Sequence, residues 1–170
     1  MNLPNKLTLI RVIMIPLCLL CWALGVNWLA AVIFAAAALT DFLDGYIARK
    51  NNIVTTFGKF ADPVADKILV LTSMIFLCAD GILPAWAVAV VAARELMVDG
   101  LRMVAAQKGV VIAAGMAGKI KTNLQLFCVL AAMVLGSHIV TDVLMYLMAL
   151  MTLISGAEYF KNSWKLLKEE

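Results

Sequence analysis

Residues 41–66 read DFLDGYIARKNNIVTTFGKFADPVAD. The stretch holds four aspartates, Asp41, Asp44, Asp62 and Asp66, in a 170-residue chain that is 64% hydrophobic and 15% charged. Carboxylates are costly to keep in such surroundings, so the rest of the chain reads as a scaffold for them. On a helix at about 100° per residue, Asp41, Asp44, Gly45 and Ala48 fall within about a 100° arc. Gly58, Asp62 and Asp66 recur every four residues and drift only about 80° around the next helix. The polar segment Lys50 to Thr55 joins the two as a short turn. Two consecutive helices are therefore expected to offer two carboxylates each towards one point.

Working outward, the mean hydropathy is +0.97. Soluble domains run at about 45–50% apolar and about 25% charged, so this composition places the chain in lipid. The fold class expected is all-α: a polytopic membrane protein with six transmembrane helices, as one domain over residues 1–170. A span needs roughly 20 apolar residues. Candidates run from about Leu9 to Leu24, Trp28 to Arg49, Phe57 to Ala79, Pro84 past Arg102, Lys119 to Leu135, and Val140 to Tyr159. The first is read as a retained helix rather than a cleaved signal, because further spans follow and no convincing cleavage site does. Pro63 lacks an N–H, so the third helix should start close to it or kink there.

Charge tests this topology. Six helices put all 14 Lys and Arg residues on one side, from Lys6 and Arg11 through to Lys165 and Lys168. The turns at Gly25–Asn27, Asp80–Pro84 and Gly136–His138 lie on the other, with only Asp80, His138 and Asp142 nearby. The positive-inside rule then makes both termini and the aspartate stretch cytoplasmic. No basic run with interleaved aromatics supports nucleic-acid binding. Cys18, Cys21, Cys78 and Cys128 fall within apolar runs and read as small hydrophobes.

Crowded carboxylates repel one another, and a cation relieves that. An all-oxygen donor set without His or Cys favours Mg²⁺, Mn²⁺ or Ca²⁺ over zinc. Four aspartates suffice for two ions, an arrangement used to clamp phosphoryl oxygens. No Ser/His or Cys/His dyad is available, so direct displacement is the simpler chemistry. A divalent-cation transporter is the reading from a different class. Against it, no acidic path crosses to the far side and no inverted repeat is visible.

The pattern Asp41-x2-Asp44-Gly45-x2-Ala48-Arg49-x8-Gly58-x3-Asp62-x3-Asp66 resembles the full signature of the CDP-alcohol phosphotransferases, with no position departing from it. The resemblance implies six transmembrane helices, a homodimer, and two Mg²⁺ (or Mn²⁺) ions per site held by Asp41, Asp44, Asp62 and Asp66. It also implies that Asp66 is the base for the attacking hydroxyl, and that Asp44, Gly45, Ala48, Arg49 and Gly58 surround the CDP group.

Asn5, Thr8 and Arg11, spaced by three, are candidates to touch the nucleotide or its diphosphate, beside their plainer roles as cap and anchor. Further on, Glu95, Asp99 and Arg102 share a helix face, with Arg94 about 80–100° away. They read either as an internal salt-bridge network or, through Arg94 and Arg102, as an acceptor-phosphate site. Lys119 and Lys121 join that site as candidates, although two residues so spaced point to different faces and one alone should reach it.

The stretches PNKLTLIR, ARELMVDGLR, GKIKT and SGAEYFKNSWK resemble the bacterial branch of the family. That branch passes a phosphatidyl group from CDP-diacylglycerol to glycerol 3-phosphate. It implies a bacterial inner membrane and contact with membrane lipids, including anionic lipid at the Lys161, Lys165 and Lys168 flank. A member acting on inositol phosphate, or one making cardiolipin, is the nearest alternative. Basic residues argue for a phosphorylated alcohol but do not by themselves separate glycerol phosphate from inositol phosphate. SGAEYFKNSWK has no evident chemistry of its own.

Overall fold

The computed structural model describes residues 3–50, 56–110 and 115–168, with side chains over 8–40, 64–110 and 115–164. The described residues form six helices: α1 Leu3–Ala23, α2 Asn27–Lys50, α3 Thr56–Ala79, α4 Ala85–Gln107, α5 Met116–Leu135 and α6 Ile139–Lys168. The all-α class and the helix order agree with the sequence reading. Two boundaries differ by more than a turn, and the start of α3 agrees with the expected Phe57 to within one residue. α1 opens at Leu3 rather than near Leu9, because Pro4 is tolerated in a first turn whose N–H groups lack partners anyway. α6 continues past Tyr159 to Lys168. Hydropathy ends at its lysines, but lysine and leucine are good helix formers and no Gly or Pro intervenes. α3 starts at Thr56, about two turns before Pro63, so the helix does not begin at the proline.

α3 packs against α1, α2, α4 and α5, while α6 packs on α4 and α5. The reason is a buried stripe on each helix. On α1 it runs Thr8, Arg11, Ile15, Cys18, Trp22, alternating steps of three and four as one helix face requires. On α2, Ala30, Phe34 and Ala37 are buried. The small alanines let α1 approach closely enough for the Cys18 thiol to donate to the Ala30 carbonyl at 3.3 Å. The helix ends are tight. Gly25 takes φ +77°, and Val26 N–H reaches back to the Cys21 carbonyl at 2.9 Å. This left-handed closure suits glycine.

α6 shows what solvent the fold is built for. Its inward stripe is Thr141, Met145, Met148, Thr152, Ser155 and Tyr159, all buried. Its outward stripe is Val143, Leu147, Leu150 and Ile154, all exposed. A water-soluble helix has the reverse polarity. The inward hydroxyls are satisfied locally: Thr152 donates to the Met148 carbonyl at 2.6 Å and Ser155 to the Thr152 carbonyl at 3.2 Å. Leu9, Ile13, Leu17 and Leu20 form a comparable exposed stripe on α1. Apolar surface on this scale is stable against lipid.

Among the described residues, Met116–Leu135 and Ile139–Trp164 are long and apolar enough to cross a membrane on their own composition. α1 and α2 contribute the shorter apolar stretches Thr8–Ala23 and Asn27–Thr40. The remaining helices carry charges that turn inward.

Candidate active site between α3, α4, α5 and α6

Charged side chains take positions in the buried stripes. On α4 the stripe is Ala87, Val91, Glu95, Val98 and Ala105. On α5 it is Lys121, Gln125, Cys128 and Ala132. Glu95 and Lys121 are 7% and 2% exposed. Side chains that costly to bury must be paired, and they are paired with each other. Lys121 Nζ donates to Glu95 Oε1 at 2.5 Å. Arg94 Nη1 donates to the same oxygen at 3.0 Å, although Arg94 leaves the helix on another face. Lys67 Nζ, from α3, lies 3.7 Å from Glu95 Oε2 and also pairs with Asp99. Lys67 and Glu95 sit near the middle of α3 and α4, deeper than basic residues at helix ends would lie.

The network lines a cleft of about 160 Å³, bounded by Asp66, Lys67, Arg94, Glu95, Val98, Arg102, Gly118 and Thr122. A narrow recess of about 20 Å³ shares Asp66, Lys67, Glu95 and Thr122 and adds Lys121 and Gln125. Asp66 thus shares the cleft with Arg94 and Arg102 and the recess with Lys121, three residues that the sequence reading offered for the acceptor phosphate. Lys67, Arg94, Arg102 and Lys121 face Glu95 and Asp99, an excess of two positive charges before Asp66 and a substrate are counted.

Two further features escaped sequence reasoning. Arg94 lies in a slot between two glycines. A Cβ at Gly118 of α5 would stand 3.6 Å from Arg94 Nη2, and one at Gly156 of α6 would stand 3.4 Å from its Cγ. Arg102 donates from Nε to the Tyr159 hydroxyl at 2.9 Å. SGAEYFKNSWK, which carries no chemistry when read alone, therefore shapes the arginine side of the cleft. Its signal in the sequence was the Gly156-x2-Tyr159 spacing, which puts both on one face of α6.

Of the other candidates, Lys121 enters the site and Lys119 does not: Lys119 is exposed and absent from the cleft lining. Thr8 and Arg11 are buried on α1, at 1% and 0% exposed, and lie on the inner face of the bundle. The side chains of Asn5, Asp41, Asp44, Gly45, Ala48, Arg49, Gly58 and Asp62 lie outside the described ones. The helices do place Asp41 and Asp44 in the last turns of α2, Asp62 in the second turn of α3 and Asp66 one turn further, beside the helix midpoint, and these helices are in contact. Carboxylate oxygens alone suit a hard divalent cation. The cationic network beside Asp66 would repel such an ion, so the aspartates are the donor set that fits it.

A lipid-facing helical bundle with a charged internal cleft and a carboxylate in its lining defines a membrane protein with a polar site between its helices. The CDP-alcohol phosphatidyltransferase family matches residues 1–154. The chain is 40% identical to the CDP-diacylglycerol–glycerol-3-phosphate 3-phosphatidyltransferase of Bacillus subtilis (strain 168), over 98% of this chain and 97% of that protein. It is 39% identical to the protein of the same name in Rickettsia felis, over 94% of each. In Yersinia enterocolitica the figure is 35%, over 99% of this chain and 98% of that one. The chain belongs to the CDP-alcohol phosphatidyltransferase family and is a membrane transferase. The family is in general dependent on a divalent metal.

Proposed function

We propose that this chain transfers the phosphatidyl group of CDP-diacylglycerol to glycerol 3-phosphate, giving phosphatidylglycerophosphate and CMP. The observation that carries the acceptor assignment is the excess of positive charge converging on Asp66. Arginine forks and a buried lysine match a phosphate on the alcohol, and a neutral alcohol would not offset the net positive charge that remains after Glu95 and Asp99. Names of relatives from several bacteria support glycerol 3-phosphate over inositol phosphate.

Arg94, Arg102 and Lys121 bind the acceptor phosphate, which leaves the hydroxyl at the other end of the glycerol free to approach Asp66. Asp66 takes the hydroxyl proton. The alcohol oxygen forms a bond to the phosphorus that carries diacylglycerol, and the bond from that phosphorus to the CMP oxygen breaks. No covalent enzyme intermediate is needed. Asn5, Thr8, Arg11, Asp44, Gly45, Ala48, Arg49 and Gly58 hold the CDP portion. Asp41, Asp44, Asp62 and Asp66 would hold two Mg²⁺ (or Mn²⁺) ions, whose chemistry is to offset diphosphate charge and stabilise the leaving CMP.

The same reading places the chain in a bacterial inner membrane as a homodimer. Both termini and the cleft face the cytoplasm, where CDP-diacylglycerol arrives from the bilayer and glycerol 3-phosphate from water. The residues form one domain over 1–170. The test is CMP release by purified protein supplied with CDP-diacylglycerol, Mg²⁺ and a panel of alcohols. Release with glycerol 3-phosphate alone is expected. Equal release with an unphosphorylated alcohol would overturn the acceptor assignment.

A further inference from the structure

We infer that Glu95 is a positioning residue that sets affinity for the acceptor phosphate through the cations it holds; this rests on the proposed use of the cleft. The carboxylate meets cations from three helices: Lys67 of α3 at 3.7 Å, its neighbour Arg94 of α4 at 3.0 Å and Lys121 of α5 at 2.5 Å. Lys121 and Arg94 share Oε1, so one atom fixes the separation of two phosphate-binding nitrogens. Without it, Arg94 and Lys121 would lose the oxygen they share in an apolar bundle, while Lys67 would keep Asp99, and the long lysine and arginine chains would spread apart. Glu95 keeps them together before the acceptor arrives. Binding then requires no ordering of those chains, and affinity gains accordingly.

Glu95→Gln keeps the shape and one acceptor oxygen but loses the charge. Its expected signature is confined to one substrate. The KM for glycerol 3-phosphate rises by about tenfold or more. The Ki of inorganic phosphate, as a competitor of the acceptor, rises in parallel. The KM for CDP-diacylglycerol and the kcat at saturating acceptor change by less than about threefold. Glu95→Asp draws the carboxylate back by one methylene and should give an intermediate rise. Unchanged acceptor KM and phosphate Ki in either variant would overturn the inference. So would equal rises in both KM values, which a merely structural role predicts. If Glu95→Gln does not elute as a folded species in detergent, Glu95→Asp decides alone.

The wild-type panel separates this inference from the reading beneath it. Turnover only with a different phosphorylated alcohol would overturn glycerol 3-phosphate as acceptor, and Glu95 would be measured with that alcohol. Turnover only with unphosphorylated alcohols, or with none, would sink both.

Discussion

Arg102 of α4 donates from Nε to the hydroxyl of Tyr159 on α6 at 2.9 Å, and its guanidinium carbon lies 5.5 Å from the centroid of the same ring. Tyr159 is 5% exposed, so a packed side chain holds the arginine by two of its features. Tyr159→Phe keeps the ring and removes the hydroxyl. A hydrogen bond to a charged group contributes about 1.5–3 kcal/mol, part of which the ring contact retains. The acceptor KM should rise by about three- to tenfold, with the melting temperature little changed. Steady-state kinetics beside a thermal melt check this. A fall in kcat without a KM change would argue against Arg102 as a phosphate ligand.

Lys119 and Lys121 provide a matched pair. Lys121 is buried against Glu95 and Lys119 is exposed. Lys121→Met removes the charge at a fixed stem length and should lower kcat/KM for the acceptor by about a hundredfold or more. Lys119→Met should stay within about twofold, as an exposed charge contributes little. Comparable losses in both would show that the α5 lysines act through surface potential.

Asp66→Asn removes the proposed proton acceptor while keeping one metal-competent oxygen. A general base contributes about 10²–10⁴-fold, so single-turnover CMP formation should fall by about that range even at saturating Mg²⁺. Independently, EDTA should abolish turnover in the wild type, and Mg²⁺ or Mn²⁺ should restore it. Near-normal turnover of the asparagine variant would remove Asp66 from the base role.

At the opposite end, Trp22 Nε1 donates to Asp80 Oδ2 at 2.7 Å and ties α1 to the α3–α4 turn. Trp22→Phe should lower stability by about 1–3 kcal/mol and leave both KM values unchanged, because the site is at the other end of the stripe. The same end reports orientation. Ser137→Cys, in a background lacking the four native cysteines, should react with a membrane-impermeant maleimide added outside spheroplasts. Labelling only after lysis would invert the proposed topology.

The fold was legible because helix periodicity and charge asymmetry are local properties. Every helix was found from apolar runs and from Gly and Pro punctuation. Errors fell at the ends of α1 and α6, where polar residues are compatible with a helix but invisible to hydropathy. The aspartate signature was legible for a similar reason: its positions lie within two consecutive helices, α2 and α3, so they can be read from local spacing. The acceptor side was only half legible. Arg94, Glu95, Asp99 and Arg102 were visible as charges too costly to face lipid, and the two-residue offset of Lys119 and Lys121 showed that one would turn away. Which one turns inward depends on the rotation of α5 against α3 and α4.

By itself the sequence determined the helical class, the number and order of the helices and the family. Tertiary structure alone decided that Glu95 stands between Lys67, Arg94 and Lys121, that Gly118 and Gly156 frame Arg94, and that Tyr159 holds Arg102. Apart from the neighbours Arg94 and Glu95, those partners are separated by tens of residues along the chain. A buried charge announces that it needs a counter-charge, but only the packing of α3, α4, α5 and α6 selects which one meets it.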